Sequence, residues 1–291
     1  MKVKIVTHAK SLGLHANMAF RSFYFSRLAA RIFHHDPTGW LLKGGQALLV
    51  RYPSEARLSR DIDLQRPGTR SIQEARSALL DAAALDLQDF FRFIPTSLIE
   101  HSDEIGGAKQ SFNVLLGTRK MDSIGVDFVT GRFPTGIPET VDLRSGIAMP
   151  WPDDWPQAQL YPLSDHIADK ICAMYERHNG FPSSRWRDLA DLLLISQRED
   201  LDGTALRIAL ESERLRRTGL GLDLELPGEF CSPGPAWTAG YESAARDVTG
   251  LRGCRSFAEA TAAAHTFITP ILGGPAPNHW DHTNSTWSFR R

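Results

Sequence analysis

The chain has 291 residues and a formal net charge of −1, with 42% hydrophobic and 23% charged residues. This balance excludes a fibrous or disordered chain, and the near-zero charge gives no general attraction to nucleic acid. We find no apolar run that could span a bilayer and no secretory signal, so we expect a cytoplasmic protein without membrane contact. Three scattered cysteines predict neither a disulfide framework nor a zinc site.

The N-terminal part of the chain alternates between helical and strand-like segments. Apolar and aromatic residues recur at helical intervals over 16–35, which predicts a buried helix. A short strand over 40–42 leads to the glycine pair 44–45, and a helix over 46–52 follows. The next strand is predicted over 61–64.

Longer elements are predicted after this strand. The stretch 71–93 has the periodicity of one long helix, with Ser71 as its N-cap. Alternating apolar residues predict strands over 112–116 and 124–129, and a further strand is predicted over 141–149.

Beyond a Pro- and Trp-rich segment over 150–156, which is typical of a linker, the pattern becomes helical. The predicted helices cover 164–178, 185–197, 204–217, 236–248 and 256–272. The tail after Gly273 lacks periodicity and is predicted to be irregular or a docked strap. We therefore predict two domains, an α/β core with a helical lead-in over 1–150 and a helical domain over 151–291.

The segment LLKGGQALLVRYPSEARLSRDIDL, residues 41–64, carries the strongest chemical signal. Asp61 and Asp63 are spaced by two on a predicted strand, so both carboxylates face one side. Such hard oxygen ligands suit Mg²⁺ or Mn²⁺. Gly44 and Gly45 let the backbone approach a triphosphate and open a helix whose amides face the anion. The pattern predicts a metal-dependent nucleotidyltransferase with an NTP as co-substrate.

Other residues are candidates for the same site. Asp127 in IGVDFV is the natural third carboxylate, as metal ligand or base, although an edge-strand aspartate facing water fits the same pattern. Ser59 can offer its hydroxyl to a phosphate, or it is a polar loop residue. By pattern alone, Lys170 is a solvated lysine on a helix and Asp188 is a first-turn aspartate.

The chain resembles the AbiEii/AbiGii nucleotidyltransferase-like toxins, including the MenT group, over about residues 15–272. The resemblance depends on the order of five segments, LLKGGQALL, RLSRDIDL, VDFV, DHIADKICA and RDLADLLLI. It implies an α/β (α+β) nucleotidyltransferase core of the polymerase-beta-like superfamily with a C-terminal α-helical domain that completes the active-site cleft.

The same resemblance implies roles for individual residues. The turn Lys43-Gly44-Gly45 and the pair Asp61 and Asp63 are expected to bind nucleotide and metal. Ser59, beside the aspartate pair, is also expected to bind nucleotide. Lys170 is expected to contact the triphosphate, and Asp188 to support catalysis. The expected acceptor is a tRNA 3′ end, whose modification blocks translation. A separately encoded antitoxin is the expected partner, and Ser59 matches a serine position that an antitoxin can modify.

Two alternatives to this reaction stay open at the level of sequence. The same metal site serves any hydroxyl acceptor, including a protein side chain or a small molecule. A nucleotide-binding module without chemistry would also retain the glycine turn and the aspartates. Neither the base of the NTP nor the oligomeric state follows from short motifs.

Overall fold

The computed structural model describes residues 2–11, 16–101, 106–144 and 155–289, and these form two compact units. The first unit contains the described parts of Met1–Pro53, Leu58–Phe133 and Pro138–Tyr161. The second contains Ser54–Arg57, Pro134–Ile137 and the described part of Pro162–Arg291. Among the described helices, none has the length and apolar character needed to cross a membrane.

The first unit is a mixed β-sheet with helices packed against it, which confirms the predicted α/β core. Its helices are α1 (Lys2–Ser11), α2 (Ala16–His35), α3 (Gly44–Arg51) and α4 (Ile72–Ala83). Its strands are β1 (Leu41–Lys43), β2 (Ile62–Arg66), β3 (Phe91–Glu100), β4 (Gly107–Leu116), β5 (Arg119–Thr130), β6 (Glu139–Asp142) and β7 (Gln157–Leu160). The strand order is β3-β4-β5-β2-β1-β7-β6, with β2 parallel to β5 and antiparallel to β1.

Alternation of apolar and polar residues decides which face of the sheet is buried. In β2, Ile62 and Leu64 are buried, as the sequence predicts, and they join the apolar core that α2 and α4 cover. Neighbouring residues in a strand face opposite sides. Asp63 and its partner Asp127 therefore lie on the opposite face of the sheet from this core.

The helix predicted over 71–93 is wrong in its second half. Ser71 is the N-cap, as expected, but α4 ends at Ala83. Gln88 and Phe90 adopt positive φ angles of 53° and 58°, which are incompatible with a right-handed helix. The edge strand β3 follows, and at its start buried aromatic residues alternate with exposed residues.

The strand predicted over 141–149 corresponds to β6, which ends at Asp142. Residues 145–154 lie outside the described residues, and with them most of the linker predicted over 150–156. The strand β7 was not predicted, because its four residues, QAQL, include none of the β-branched or aromatic residues that indicate a strand. It pairs with β1 on one side and β6 on the other.

The second unit consists mainly of helices, as the periodicity predicts. They are α5 (Leu163–Tyr175), α6 (Trp186–Ser196), α7 (Gly203–Gly219), α8 (Trp237–Arg246) and α9 (Phe257–Leu272). Short strands accompany them, namely β8 (Glu176–Arg177), β9 (Leu201–Asp202), β10 (Asp223–Leu224), β11 (Pro277–Asp281) and β12 (Thr286–Phe289). Asp165 of α5 accepts hydrogen bonds from the amides of Thr135 and Gly136 (2.7 and 2.9 Å), which fastens the segment Pro134–Ile137 to this unit.

Of the two alternatives predicted for the tail after Gly273, irregular or docked, the structure has a docked segment, in the form of a β-hairpin. The strands β11 and β12 form a hairpin, and β9 adds a third strand. Trp280 and Trp287 pack against Phe267 with ring centroids 4.9 and 6.0 Å away. Both indole N–H groups donate to backbone carbonyls, of Ser196 (2.8 Å) and Phe267 (2.9 Å). Two buried tryptophans thus stabilise a hairpin in which most other residues are polar.

A fully buried ion cluster joins α2 to the loop that precedes β3. Asp89 accepts hydrogen bonds from Arg27 Nε (2.7 Å) and Arg31 Nη1 (2.9 Å), and all three side chains are inaccessible to solvent. Burial alone would raise the pKa of Asp89, but the two guanidinium groups hold this pKa below its usual value. The loop is therefore fixed by charge pairing.

Replacing Asp89 with alanine leaves two buried arginines without their carboxylate. We expect D89A to lower the free energy of unfolding by about 3–5 kcal/mol, the usual cost of removing one member of a buried pair. Urea unfolding followed by tryptophan fluorescence measures this change. D81A, at an exposed position of α4, is the matched control. If D89A lowers the free energy of unfolding by less than about 1 kcal/mol, the role assigned to the ion cluster is contradicted.

Candidate active site

Four charged residues form a row across neighbouring strands of the first unit. Lys43 in β1 is paired with Asp63 in β2, Asp63 with Asp127 in β5, and Asp127 with Lys109 in β4. Residues directly opposite each other on adjacent strands point to the same face. The two aspartates therefore lie side by side, with a lysine at each end of the row.

Asp61 completes the group of carboxylates that we call the acidic group. One oxygen from each of Asp61, Asp63 and Asp127 lies within 4.8 Å of the others. Oxygens bound to a single Mg²⁺ are at most about 4.2 Å apart, so small side-chain rotations bring all three within reach of one ion. The acidic group therefore fits a hard divalent cation, as the sequence predicts.

The glycine turn lies directly against the acidic group. Gly44 has a φ of 60°, and a Cβ added to it would lie 1.7 Å from Oδ2 of Asp63. Only glycine allows this approach of backbone to carboxylate. Gly45 is buried in the first turn of α3. Lys43, which precedes the turn, places its Nζ 4.3 Å from the ring centroid of Tyr161.

Ser59 is buried and holds the backbone next to the acidic group. Its hydroxyl donates a hydrogen bond to the main-chain carbonyl of Asp61 (2.9 Å), and Oδ1 of Asp61 is 3.4 Å away. The hydroxyl thus stabilises the turn that leads into β2.

Two residues at the acidic group were not predicted from the sequence. Lys109 Nζ donates to Oδ2 of Asp127 (2.6 Å), and His101 Nε2 lies 3.3 Å from Oδ1 of the same side chain. Burial alone would lower the pKa of Lys109, but the hydrogen bond to Asp127 and the charges of Asp127, Asp61 and Asp63 raise it. Lys109 is therefore a cation in the immediate surroundings of the three carboxylates.

The remaining predicted site residues, Lys170 and Asp188, lie in the second unit. Lys170 of α5 is buried, and its Nζ donates to Oδ1 of Asp188 (2.7 Å) and to Oδ2 of Asp191 (2.7 Å), both on α6. Lys170 is thus not a solvated surface lysine. Asp188 lies in the first turn of α6, as expected, but it is buried and paired.

Two arginines extend this cluster, which we call the Lys170 network. Arg57 binds Asp191 through two hydrogen bonds (3.0 and 2.8 Å), and Arg185 Nε donates to Oδ2 of Asp188 (2.6 Å). Burial would raise the pKa of both carboxyl groups, but Lys170 and the arginines hold these pKa values below the usual range. Burial would likewise lower the pKa of Lys170, which the two aspartates raise.

The match to a protein family defines the class of protein, a nucleotidyltransferase. The family described as "Nucleotidyl transferase AbiEii toxin, Type IV TA system" matches residues 27–263. The chain belongs to this family and is a nucleotidyltransferase toxin of a toxin–antitoxin system. No curated protein sequence matches the chain.

Two solved structures are similar to this chain. MenT4, a nucleotidyltransferase toxin from Mycobacterium tuberculosis H37Rv, superposes with a TM-score of 0.55 at 16% identity, over 90% of this chain and 93% of that chain. JHP933 from Helicobacter pylori has a TM-score of 0.41 at 16% identity, over 67% of this chain and 71% of that chain. The first of these supports the nucleotidyltransferase fold assignment.

Replacing Lys170 with methionine leaves two buried carboxylates with less counter-charge. We expect K170M to lower the free energy of unfolding by about 3–5 kcal/mol near pH 7, measured by urea unfolding. R246M, at an exposed position of α8, is the control for loss of a cation in this unit.

The difference between wild type and K170M should narrow as the pH falls below about 4. The pKa values of Asp188 and Asp191 are lowered in the folded protein, so their stabilisation is present above the unfolded pKa. It is lost as the pH falls through the folded values. A difference that stays constant between pH 7 and pH 3 would contradict the ion-pair explanation.

Proposed function

We propose that the protein transfers NMP from an NTP to the 3′ end of a tRNA, with Mg²⁺ as cofactor and pyrophosphate as product, and so blocks translation. The observation that carries this proposal is the convergence of Asp61, Asp63 and Asp127, since one oxygen of each lies within 4.8 Å of the others. Membership of the toxin family supports the biological role and implies a cognate antitoxin as partner.

The residues of the first unit divide the work between metal and phosphate. Asp61, Asp63 and Asp127 would hold the metal, which neutralises triphosphate charge and aligns the attacking hydroxyl when bound. Gly44 and Gly45 begin α3, whose N-terminal amides favour an anionic phosphate. Gly44 also lies against Asp63, so this end of the helix is next to the acidic group. Lys43 adds a positive charge at the same turn. Ser59 positions Asp61 through its hydrogen bond to the backbone.

For Lys170 and Asp188 the contacts support a positioning role in this reaction. Lys170 is held between two carboxylates and its side chain is only 4% exposed. Asp188, in turn, holds Arg185, whose side chain is 54% exposed. Three cations face two carboxylates in the Lys170 network, so it carries one net positive charge. We propose that Arg185 contacts a phosphate of the RNA acceptor.

Incubation of the purified protein with each α-labelled NTP and total tRNA, followed by sequencing of extended 3′ ends, tests the reaction. We expect label on tRNA from one preferred NTP. In the variant D61A/D63A we expect the rate to fall more than about 10³-fold, because several kcal/mol of charge stabilisation are lost.

Parallel reactions with total protein distinguish the other acceptors. Label confined to protein would overturn the tRNA assignment, and tight NTP binding without pyrophosphate release would indicate a non-catalytic module. Full activity in the double alanine variant would overturn the acidic group as the active site. Circular dichroism of that variant confirms that it is folded.

Replacing Arg185 with glutamine tests the RNA contact separately. We expect R185Q to weaken tRNA binding and to reduce the slope of log affinity against log salt by about one, as loss of one phosphate contact does. Filter binding at several salt concentrations measures both quantities. R246Q, an exposed arginine of α8, is the matched control. An unchanged salt slope in R185Q would exclude the contact.

A further inference from the structure

Lys109 binds Asp127, one of the three carboxylates of the acidic group. Oδ2 of Asp127 accepts its hydrogen bond at 2.6 Å, and Oδ1 of Asp127 is 3.3 Å from Nε2 of His101. Both oxygens of Asp127 therefore have nitrogen neighbours within the first unit. A cation that uses Asp127 as a ligand shares this side chain with Lys109.

The sheet has a built-in space for the Lys109 side chain. Gly125 lies two residues before Asp127 on β5, so it faces the same side of the sheet. A Cβ at Gly125 would lie 2.6 Å from Cε and 3.4 Å from Nζ of Lys109. Glycine inside a strand weakens it and often marks a close approach of another group. Here the group that approaches is the lysine, which lies over Gly125 to reach Asp127.

The ion pair of Lys109 and Asp127 is accessible enough to solvent for another cation to replace the lysine. The side chains of Lys109 and Asp127 are 38% and 22% exposed. Ion pairs in contact with water contribute little net free energy, because solvation of the separated charges compensates for their attraction. A doubly charged ion near Asp61 and Asp63 therefore competes effectively with one ammonium group for Asp127.

We propose that Lys109 is the resident counter-cation of the acidic group and competes with a divalent cation for Asp127. Lys109 is a positioning residue in this scheme, because it holds Asp127 against the sheet while no metal is bound. It also weakens metal binding by the free protein. The inference rests on the proposed function, since it requires Asp61, Asp63 and Asp127 to be the metal ligands.

Binding of Mn²⁺ to the full-length protein without nucleotide, measured by titration calorimetry and by electron paramagnetic resonance of free Mn²⁺, tests the competition. K109M removes the ammonium and keeps the length of the side chain. We expect K109M to bind Mn²⁺ about tenfold more tightly than wild type, which corresponds to ~1.4 kcal/mol. K120M, an exposed lysine of β5, is the matched control and should leave the affinity unchanged.

A second variant moves the ammonium without removing it. In G125A the new methyl group collides with the flexible end of Lys109, which can move aside, so the fold is preserved. We expect G125A to bind Mn²⁺ about threefold more tightly than wild type. The double variant K109M/G125A should bind no more tightly than K109M alone, because the effects of coupled sites are not additive. G125A also keeps the test available if K109M fails to fold.

Three outcomes are informative. Tighter Mn²⁺ binding in K109M and G125A supports the competition. Equal or weaker binding in both, with wild-type binding that D61N/D63N abolishes, overturns the role of Lys109 but leaves the metal site intact. If neither wild type nor K109M shows Mn²⁺ binding that the substitutions D61N/D63N abolish, the metal site itself is overturned, and the proposed function with it.

Discussion

The parallel pairing of β2 with β5 is the constraint on which the candidate site depends. In this register Asp63 lies beside Asp127, while Ile62 and Leu64 enter the apolar core with their partners on β5. A slip of one residue would turn every side chain of one strand to the other face, and would bury a carboxylate while exposing apolar groups. The apolar core therefore fixes the position of the carboxylates, because only one register satisfies both faces of the sheet.

Charge balance explains how three carboxylates lie together on this sheet. The acidic group carries three negative charges, and Lys43 and Lys109 at the ends of the row supply two positive ones. One net negative charge remains, and binding of a divalent cation with its nucleotide would change this charge balance. Gly44 and Gly125 serve the same arrangement from the backbone side, because each leaves the space that a charged group occupies. The local geometry thus combines hydrogen bonding, charge and the absence of side chains at two positions.

The sequence predicts the parts of the site that depend on local spacing. Asp61 and Asp63 follow from the period of a strand, and Gly44 from the glycine pair that lets the backbone approach another group closely. Lys109 could not be found in this way, because a register irregularity between Val114 and Leu115 shifts the β4–β5 pairing by one residue. A regular hairpin would have placed Lys109 beside a different partner. The bond between Arg57 and Asp191 spans 134 residues and has no local signal.

Lys109 and Lys170 make the same type of contact, an ammonium bound to aspartate, but burial gives the two contacts different consequences. Lys170 is 4% exposed between two carboxylates, so its loss would leave charges stranded away from water. Such a lysine maintains a fixed arrangement, in which Asp188 and Asp191 orient two arginines. Lys109 is 38% exposed, and water compensates when its contact opens. Exposure, and not the pairing itself, therefore decides which lysine can give way to another cation.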